Sequence, residues 1–347
     1  MAEFIDPNTS DDCHFCYEPN GDLNDLGRNY SQYGQQAHND PSKTLGVVIL
    51  SGGEGSRLDC TGPKGLFELV NGINLFNIHL EKLKNLKKKT LAKIILFIMT
   101  SFTTHEAVVT FFNDFFKDHP ITEYCDQYEI FQQGLLPILS ARKRPMRGFS
   151  SPDGNGGLYE AIKKTDSYGK TDYFNVISVD NVAATFFDEP FLGCLLQKEY
   201  EILNKTVNPM ENEKVGGFTF YKDKSIRIVE YSEISEEVDI NWVQGNICNH
   251  LITRVFMDSV TEEDLTIHHA KKKPKEGMRV PKGEQIIKQE KFIFDPFKKS
   301  KKMGVFNVLR NSEFIPLKSK EDIESCKEYC KEFCKLHKKG KKRRSKK

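Results

Sequence analysis

A continuous apolar run, Leu45-Gly-Val-Val-Ile-Leu50, passes directly into Ser51-Gly-Gly-Glu-Gly-Ser-Arg57. A short run rich in β-branched residues, with no polar alternation, is the pattern of a strand buried on both faces, as in a parallel sheet. The glycines after it end the strand in a loop. Similar runs recur at Lys93–Met99, Tyr128–Phe131 and Tyr173–Val179. Helical patterns lie near 75–86, 104–117, 157–166 and 189–203. Strands alternating with helices predict an α/β chain with a doubly wound, mostly parallel sheet. Ligands of such sheets sit beyond the C-terminal strand ends, where Val47–Leu50 and Val176–Val179 both run into polar motifs. Further strands are expected at 215–220, 226–231, 291–295 and 305–309.

The 347 residues, 38% hydrophobic and 29% charged, suffice for one large domain or two smaller ones. No apolar run reaches the roughly 18 to 20 residues that span a bilayer, and the N-terminus lacks a signal-peptide pattern. The expected location is the cytosol, or the nucleus by way of a basic tail. Nine cysteines, an odd number, argue for reduced thiols. The last thirteen residues carry nine Lys and Arg, so the net charge of +2 leaves about −7 on everything before them. Residues 1–43, rich in Asn, Asp, Gly, Gln and Ser, read as a mobile or loosely packed arm. Residues 44–320 read as the main domain, with 44–185 its first half and 186–320 its second half. Residues 321–347 read as a Lys-rich helix and basic tail.

Gly52, Gly53 and Gly55 lack Cβ atoms, so the backbone can approach a polyphosphate and present its N–H groups. Three glycines alone would suit an ordinary strand-to-helix turn. Arg57 adds a fork of donors with a permanent charge, and Lys64, between Pro63 and Gly65, adds a second cation. This is neither a Walker A loop nor G-x-G-x-x-G, because Leu58 occupies the third glycine position. Phe131-Gln-Gln-Gly134 offers a carboxamide able to pair with the N3–H and O4 edge of uracil. Ser151-Pro-Asp-Gly-Asn-Gly-Gly157 precedes a helix and suits a nucleotide-facing backbone. Ser178-Val-Asp-Asn181 ends a strand, where Asp180 could hold Mg²⁺ against phosphates or serve as a helix N-cap.

Together these segments resemble the eukaryotic UDP-N-acetylglucosamine pyrophosphorylases. Leu50–Leu58 with Pro63-Lys-Gly65 is similar to the family's signature loop. Phe131-Gln-Gln-Gly134, Pro152–Tyr159 and Val179-Asp-Asn181 follow in the family's order. So do Val229–Ser235, Gly245–His250, His268–Lys271, Glu290–Asp295 and Glu313–Lys318. The resemblance spans about 45–319 and implies a Rossmann-like, doubly wound mixed sheet of the nucleotide-diphospho-sugar transferase type. It also implies a uridylyltransferase that joins UTP and N-acetylglucosamine 1-phosphate, with Mg²⁺, to give UDP-N-acetylglucosamine and pyrophosphate. UDP-glucose and broad UDP-sugar pyrophosphorylases are the alternative. Those enzymes usually carry glycine-histidine-glycine where this chain has Gly154-Asn-Gly-Gly157.

By the resemblance, Ser51, Gly52, Gly53, Gln133, Pro152 and Gly154 bind the nucleotide. Asn155, Gly216, Glu230 and Asn246 surround the sugar, Arg57, Lys64 and Lys318 carry catalysis, and Asp180 holds Mg²⁺. Ser51 stands where the family often has Ala, and Ser319 where it often has Asn. The usual N-terminal cap and C-terminal domain are expected to be missing. Two cysteine groups, Cys13/Cys16 with His14 and Cys326/Cys330/Cys334 with His337, could suggest zinc. Ligands at i, i+4 and i+8 share one helix face and do not wrap a tetrahedral ion, so a packed helical stripe is expected. The tail has no aromatic residue for base stacking; neither nucleic acid nor membrane is an expected partner, and the oligomeric state stays open.

Overall fold

The structure, a computed structural model, describes residues 4–344 apart from 19, 61, 211, 212, 214, 215, 230–240, 242, 275–277 and 279–283, with backbone alone for 334–344. The first half runs β1 (Cys13–Phe15), α1 (Asp25–His38), β2 (Thr44–Leu50), α2 (Leu75–Lys87), β3 (Lys93–Thr100), α3 (His105–Asp118), β4 (Gln127–Gln132), β5 (Leu135–Leu139), β6 (Pro145–Pro152), α4 (Leu158–Ile162) and β7 (Tyr173–Ser178). The second runs α5 (Glu189–Lys198), β8 (Ile202–Val207), β9 (Gly217–Tyr221), β10 (Ile226–Val229), β11 (Val243–Thr253), α6 (Arg254–Ser259), β12 (His268–Lys272), β13 (Ile286–Glu290), β14 (Met303–Asn307), α7 (Arg310–Glu313) and α8 (Ile323–Arg344).

The spine of the main sheet is ordered β1-β14-β8-β11-β7-β2-β3-β4. β7, β2, β3 and β4 are parallel, while β11 lies antiparallel between β7 and β8. The sheet is therefore mixed, as the resemblance implied. All seven residues of β2 are buried. Leu45, Val47 and Ile49 face a core with α1, α2, α3 and α5, and Val48 and Leu50 face one with α4 and α6. Full burial of each such side chain contributes about 1.5–3 kcal/mol, which explains the absence of polar alternation. A second sheet, ordered β12-β13-β5-β6, stands over the C-terminal strand ends.

The described residues of the segment 1–43 do not form a loose arm. β1 pairs in parallel with β14, and Phe4–Ile5 pairs with β9. His14 is buried between the hydroxyls of Tyr200 (2.9 Å) and Tyr30 (3.2 Å). α1 packs on α5 through its small residues: a Cβ on Gly34 would lie 1.9 Å from the Glu189 carbonyl oxygen. Gly27, Tyr30, Gly34, Ala37 and His38 form the buried face. Small residues gave that face no apolar signature, and the polar residues around it suggested disorder.

Three other expectations fail locally. The helix expected near 157–166 stops at Ile162. The helix expected over 189–203 stops at Lys198; Glu199 turns at φ 53°, and β8 follows. The strand expected at Lys291–Asp295 lies just before that segment, in β13. Beyond Glu290 the backbone is claimed by the glycine loop: Gly156 N–H donates to Lys291 O (2.9 Å) and Ile293 N–H to Asn155 Oδ1 (2.9 Å). Asp295 Oδ2 also accepts Phe292 N–H (2.9 Å), closing a turn.

α8 carries the cysteine stripe, with Cys326 and Cys330 fully buried and Tyr329 and Phe333 against the same core. The side chains of Cys334 and the tail lie outside the described residues. No cluster among the described residues could hold a metal through three or more His, Cys, Asp or Glu side chains. No described helix is long and apolar enough to cross a membrane.

Candidate active site

The C-terminal ends of β2, β3 and β7, faced by the second sheet, enclose a cleft of about 930 Å³. The loop after β2 forms one wall and closes on itself: Lys64 N–H donates to Gly53 O (3.0 Å) and Gly55 N–H to Gly62 O (3.1 Å). A Cβ on Gly53 would meet nothing within 4 Å, so this backbone is open to a ligand. Ser56–Leu58 makes a 3₁₀ turn that leaves Arg57 exposed on the cleft, with no ion pair among the described residues. Ser51 is fully buried instead, its hydroxyl unpartnered and off the cleft lining.

Lys64 and Asp180 meet directly. Nζ lies 2.8 Å from Oδ2, with the two side chains 16% and 20% exposed. Asp180 is not a helix N-cap; that position before α5 belongs to Asp188. The segment Glu313–Lys318 is stitched across Asp180–Val182. Leu317 N–H donates to Asp180 O (2.9 Å), Val182 N–H to Ile315 O (3.2 Å) and Asn181 Nδ2 to Glu313 O (2.8 Å). Lys318 thereby shares the cleft with Asp180 and Arg57.

Beneath this segment lies Lys205, fully buried. Its Nζ donates to Thr185 Oγ1 (2.8 Å) and pairs with Glu313 Oε1 (2.9 Å) and with Asp188. Burial alone would lower its pKa, but Asp188 and Glu313 outweigh that and raise it.

On the base side, Gln133 is buried against the glycine loops. Its Nε2 donates to Asp153 Oδ1 (3.1 Å) and Gly154 O (2.7 Å). Gly154 needs glycine twice over: φ is +89°, and a Cβ would sit 2.4 Å from the Lys291 carbonyl oxygen. Pro152 and Gly154 line the cleft beside Gln133.

On the far side, Asn155 and Asn246 line the cleft, each with its amide oxygen accepting one backbone N–H. Asn155 Oδ1 takes Ile293 N–H, and Asn246 Oδ1 takes Cys248 N–H (2.9 Å). Among the described residues neither NH₂ group has a hydrogen-bond partner, so each can donate to a ligand. Asn246 N–H donates to Gly216 O (2.8 Å), which places Gly216 just behind the wall. Glu230 lies outside the described residues.

The cleft also holds residues that the motifs did not assign: Lys288, Glu290 and Phe292 from β13 and its exit, Phe102 and Thr103 after β3, and Cys248. Lys288 and Glu290 are alternate residues of one strand and so share a face, but Ile-Ile-Lys-Gln-Glu carries no alternation that would have marked it. Burial pushes the Cys248 thiol up to about 12, so it stays protonated and is no nucleophile. The lining supplies the cations Arg57, Lys288 and Lys318, the carboxylates Glu54, Asp180 and Glu290, and neutral hydrogen-bonding groups; cations around a nucleotide-sized cleft suit charge neutralisation.

Residues 19–344 match the family model described as UTP–glucose-1-phosphate uridylyltransferase. A protein of Encephalitozoon cuniculi named as a probable UDP-N-acetylglucosamine pyrophosphorylase is 38% identical over 309 residues, covering 87% of this chain and 88% of that one. UDP-N-acetylglucosamine diphosphorylase 2 of Arabidopsis thaliana is 33% identical over 317 residues, covering 79% of this chain and 61% of that one. The chain thus spans less than two thirds of the plant relative. A solved structure from Entamoeba histolytica, assigned as UDP-N-acetylglucosamine pyrophosphorylase, superposes with a TM-score of 0.73 at 26% identity, covering 86% of this chain and 81% of that one. With motifs, fold and relatives in agreement, the chain belongs to the UTP–glucose-1-phosphate uridylyltransferase family.

Proposed function

We propose that this chain joins UTP and N-acetylglucosamine 1-phosphate to give UDP-N-acetylglucosamine and pyrophosphate. The observation that carries this reading is the convergence of Arg57, Asp180 and Lys318 on one cleft, with Lys64 held behind the lining by its ion pair to Asp180. The names of the relatives from Encephalitozoon cuniculi and Arabidopsis thaliana support the amino sugar over glucose.

An oxygen of the sugar phosphate is already anionic near neutral pH, so no general base is needed. That oxygen attacks the α-phosphorus of UTP in line, a new P–O bond forms, and the bond to the β-phosphate breaks. Pyrophosphate leaves with the bonding electrons. Catalysis then consists of holding two anions together and neutralising charge on the leaving group. Arg57 and Lys64 serve the triphosphate and the leaving pyrophosphate; Lys318 serves the phosphate joined to the sugar.

Gly52, Gly53, Gln133, Pro152 and Gly154 hold uridine. Asn155 and Asn246 hold the sugar, with Gly216 backing Asn246 from behind the wall, and their NH₂ groups donate to its hydroxyl or acetamido oxygens. A single carboxylate is the donor set expected where substrate phosphates and water complete a Mg²⁺ shell, and Asp180 Oδ1 is not taken by Lys64. Bound through Asp180, Mg²⁺ would supply further neutralisation of phosphate charge.

Pyrophosphate release from UTP, measured with each sugar 1-phosphate, tests the reading. Release with N-acetylglucosamine 1-phosphate preferred is the expected result. Preference for glucose 1-phosphate would transfer the chain to the UDP-glucose reaction, and no release with any sugar would refute the activity.

A further inference from the structure

A glutamine amide can present either an acceptor or a donor pair to a ligand, and the choice decides which base it accepts. Gln133 has no such freedom. Both hydrogens of its Nε2 face acceptors, the Asp153 carboxylate at 3.1 Å and the Gly154 carbonyl at 2.7 Å. Turning the amide over would set Oε1 against both oxygens. Oε1 therefore points the other way, over Gly52, where a Cβ would lie 2.1 Å from it. No described residue donates to this oxygen, and Gly52 and Gln133 both line the cleft.

Asp153 is held as firmly as the amide that it orients. It is 4% exposed. Its carboxylate sits between two glycines, where a Cβ on Gly157 would fall 2.2 Å from Oδ1 and one on Gly134 2.6 Å from Oδ2. Its own backbone is pinned, N–H to Gly134 O (3.0 Å) and carbonyl to Lys291 N–H (2.7 Å). Any side chain on either glycine would displace the carboxylate.

We propose that Asp153 is a positioning residue for base specificity: with the Gly154 carbonyl it fixes Gln133 as an acceptor, so that the site takes a base whose ring nitrogen donates and rejects one whose ring nitrogen accepts. Uracil carries a hydrogen on N3 and meets Oε1 with a hydrogen bond. Cytosine carries a lone pair on N3 and meets Oε1 with repulsion and an unmade bond. Sites built around one buried hydrogen bond reject the mismatched analogue strongly. This assignment rests on the uridylyltransferase reading above, and deepens it from nucleotide to base edge.

The experiment is the ratio of kcat/KM for UTP to that for CTP, with N-acetylglucosamine 1-phosphate as second substrate. Asp153→Leu removes one of the two acceptors and lets the amide turn; the ratio should fall at least about tenfold, chiefly because CTP improves relative to UTP. Asp153→Asn still offers an acceptor but can also donate, so its ratio should fall severalfold. A role in folding alone would lower both nucleotides together and leave the ratio unmoved. An unchanged ratio, within twofold, in Asp153→Leu overturns the assignment. Should Asp153→Leu fail to fold, the same outcome in Asp153→Asn overturns it. A native chain that turns over no UTP would bring down the uridylyltransferase reading and this one with it, whereas native turnover with an unchanged variant ratio removes only the role of Asp153.

Discussion

Replacing Lys205 by Met should cost more stability than any change on the surface of this chain. The ammonium is fully buried and compensates Glu313 at 2.9 Å and Asp188 beside it. Met fills similar space but leaves Glu313, 7% exposed, without its cation. Removing one partner of a buried pair costs about 3–5 kcal/mol. Unfolding entropy of about 2.1 cal/mol/K per residue gives about 0.7 kcal/mol/K for a chain of this length, so the midpoint should drop by about 4–7 °C. The folded pKa of Lys205 is raised, so its stabilisation is complete below the ordinary lysine range and disappears only as pH rises through the folded value. The comparison belongs below pH 7, because burial, with Lys205 adding to it, pushes Lys82 down to about 7, so that Lys82 titrates between pH 6 and pH 8. Adding Glu313→Gln removes one stranded charge and should restore part of the loss. Because Glu313 begins the segment that carries Lys318, kcat should also fall at temperatures where the variant is fully folded. A thermal midpoint within 1 °C of the native chain, in scans at one rate, would refute the ion-pair argument.

Arg57→Ala should lower pyrophosphate release at least about tenfold while leaving the thermal midpoint unchanged, since Arg57 is exposed and unpaired among the described residues; unchanged turnover removes it from the mechanism. Burial, with Lys198 adding to it, pushes His14 down to about 4, and burial pushes His250 down to about 3. Their unfolded forms bind protons that the folded forms refuse, so stability should fall as pH drops below about 6.5, by up to about 2.7 kcal/mol per pH unit for the two. His250→Asn should flatten the slope of urea midpoint against pH between 6 and 4; an equally steep slope would show that other groups set it.

What the sequence made legible was local. β2 announced itself because both of its faces are buried, and the loop after it because Gly52, Gly53, Arg57 and Lys64 act within a few residues of one another. α1 stayed hidden because Gly27, Gly34 and Ala37 pack by closeness of backbone, which leaves no apolar stripe. β8 went unread, its first two residues taken into the helix before it, since its buried polar residues, Asn204, Lys205 and Thr206, find partners only in distant segments. The end of β13 was misplaced because its continuation lost its backbone partners to Asn155 and Gly156, over a hundred residues away.

The same distinction explains why the sugar side is harder to read than the nucleotide side. Asn204 pairs with His250 and Thr206 with Asn246, so β11 carries extra residues across one interval of β8. Cys248, within that bulge, turns at φ 52°, and Asn246 closes on its N–H. The bulge is what re-aims Asn246 and Cys248 into the cleft, and it exists only in the register of two strands forty residues apart. A phosphate cradle can be written as a motif because its donors are consecutive backbone groups. A sugar pocket built from a bulge, a second sheet and a crossing loop cannot; its residues acquire their roles only when the strands align. Specificity in this chain should therefore respond to register: an alteration that removes the bulge at Cys248 should change the choice of sugar 1-phosphate while the response to UTP concentration stays the same.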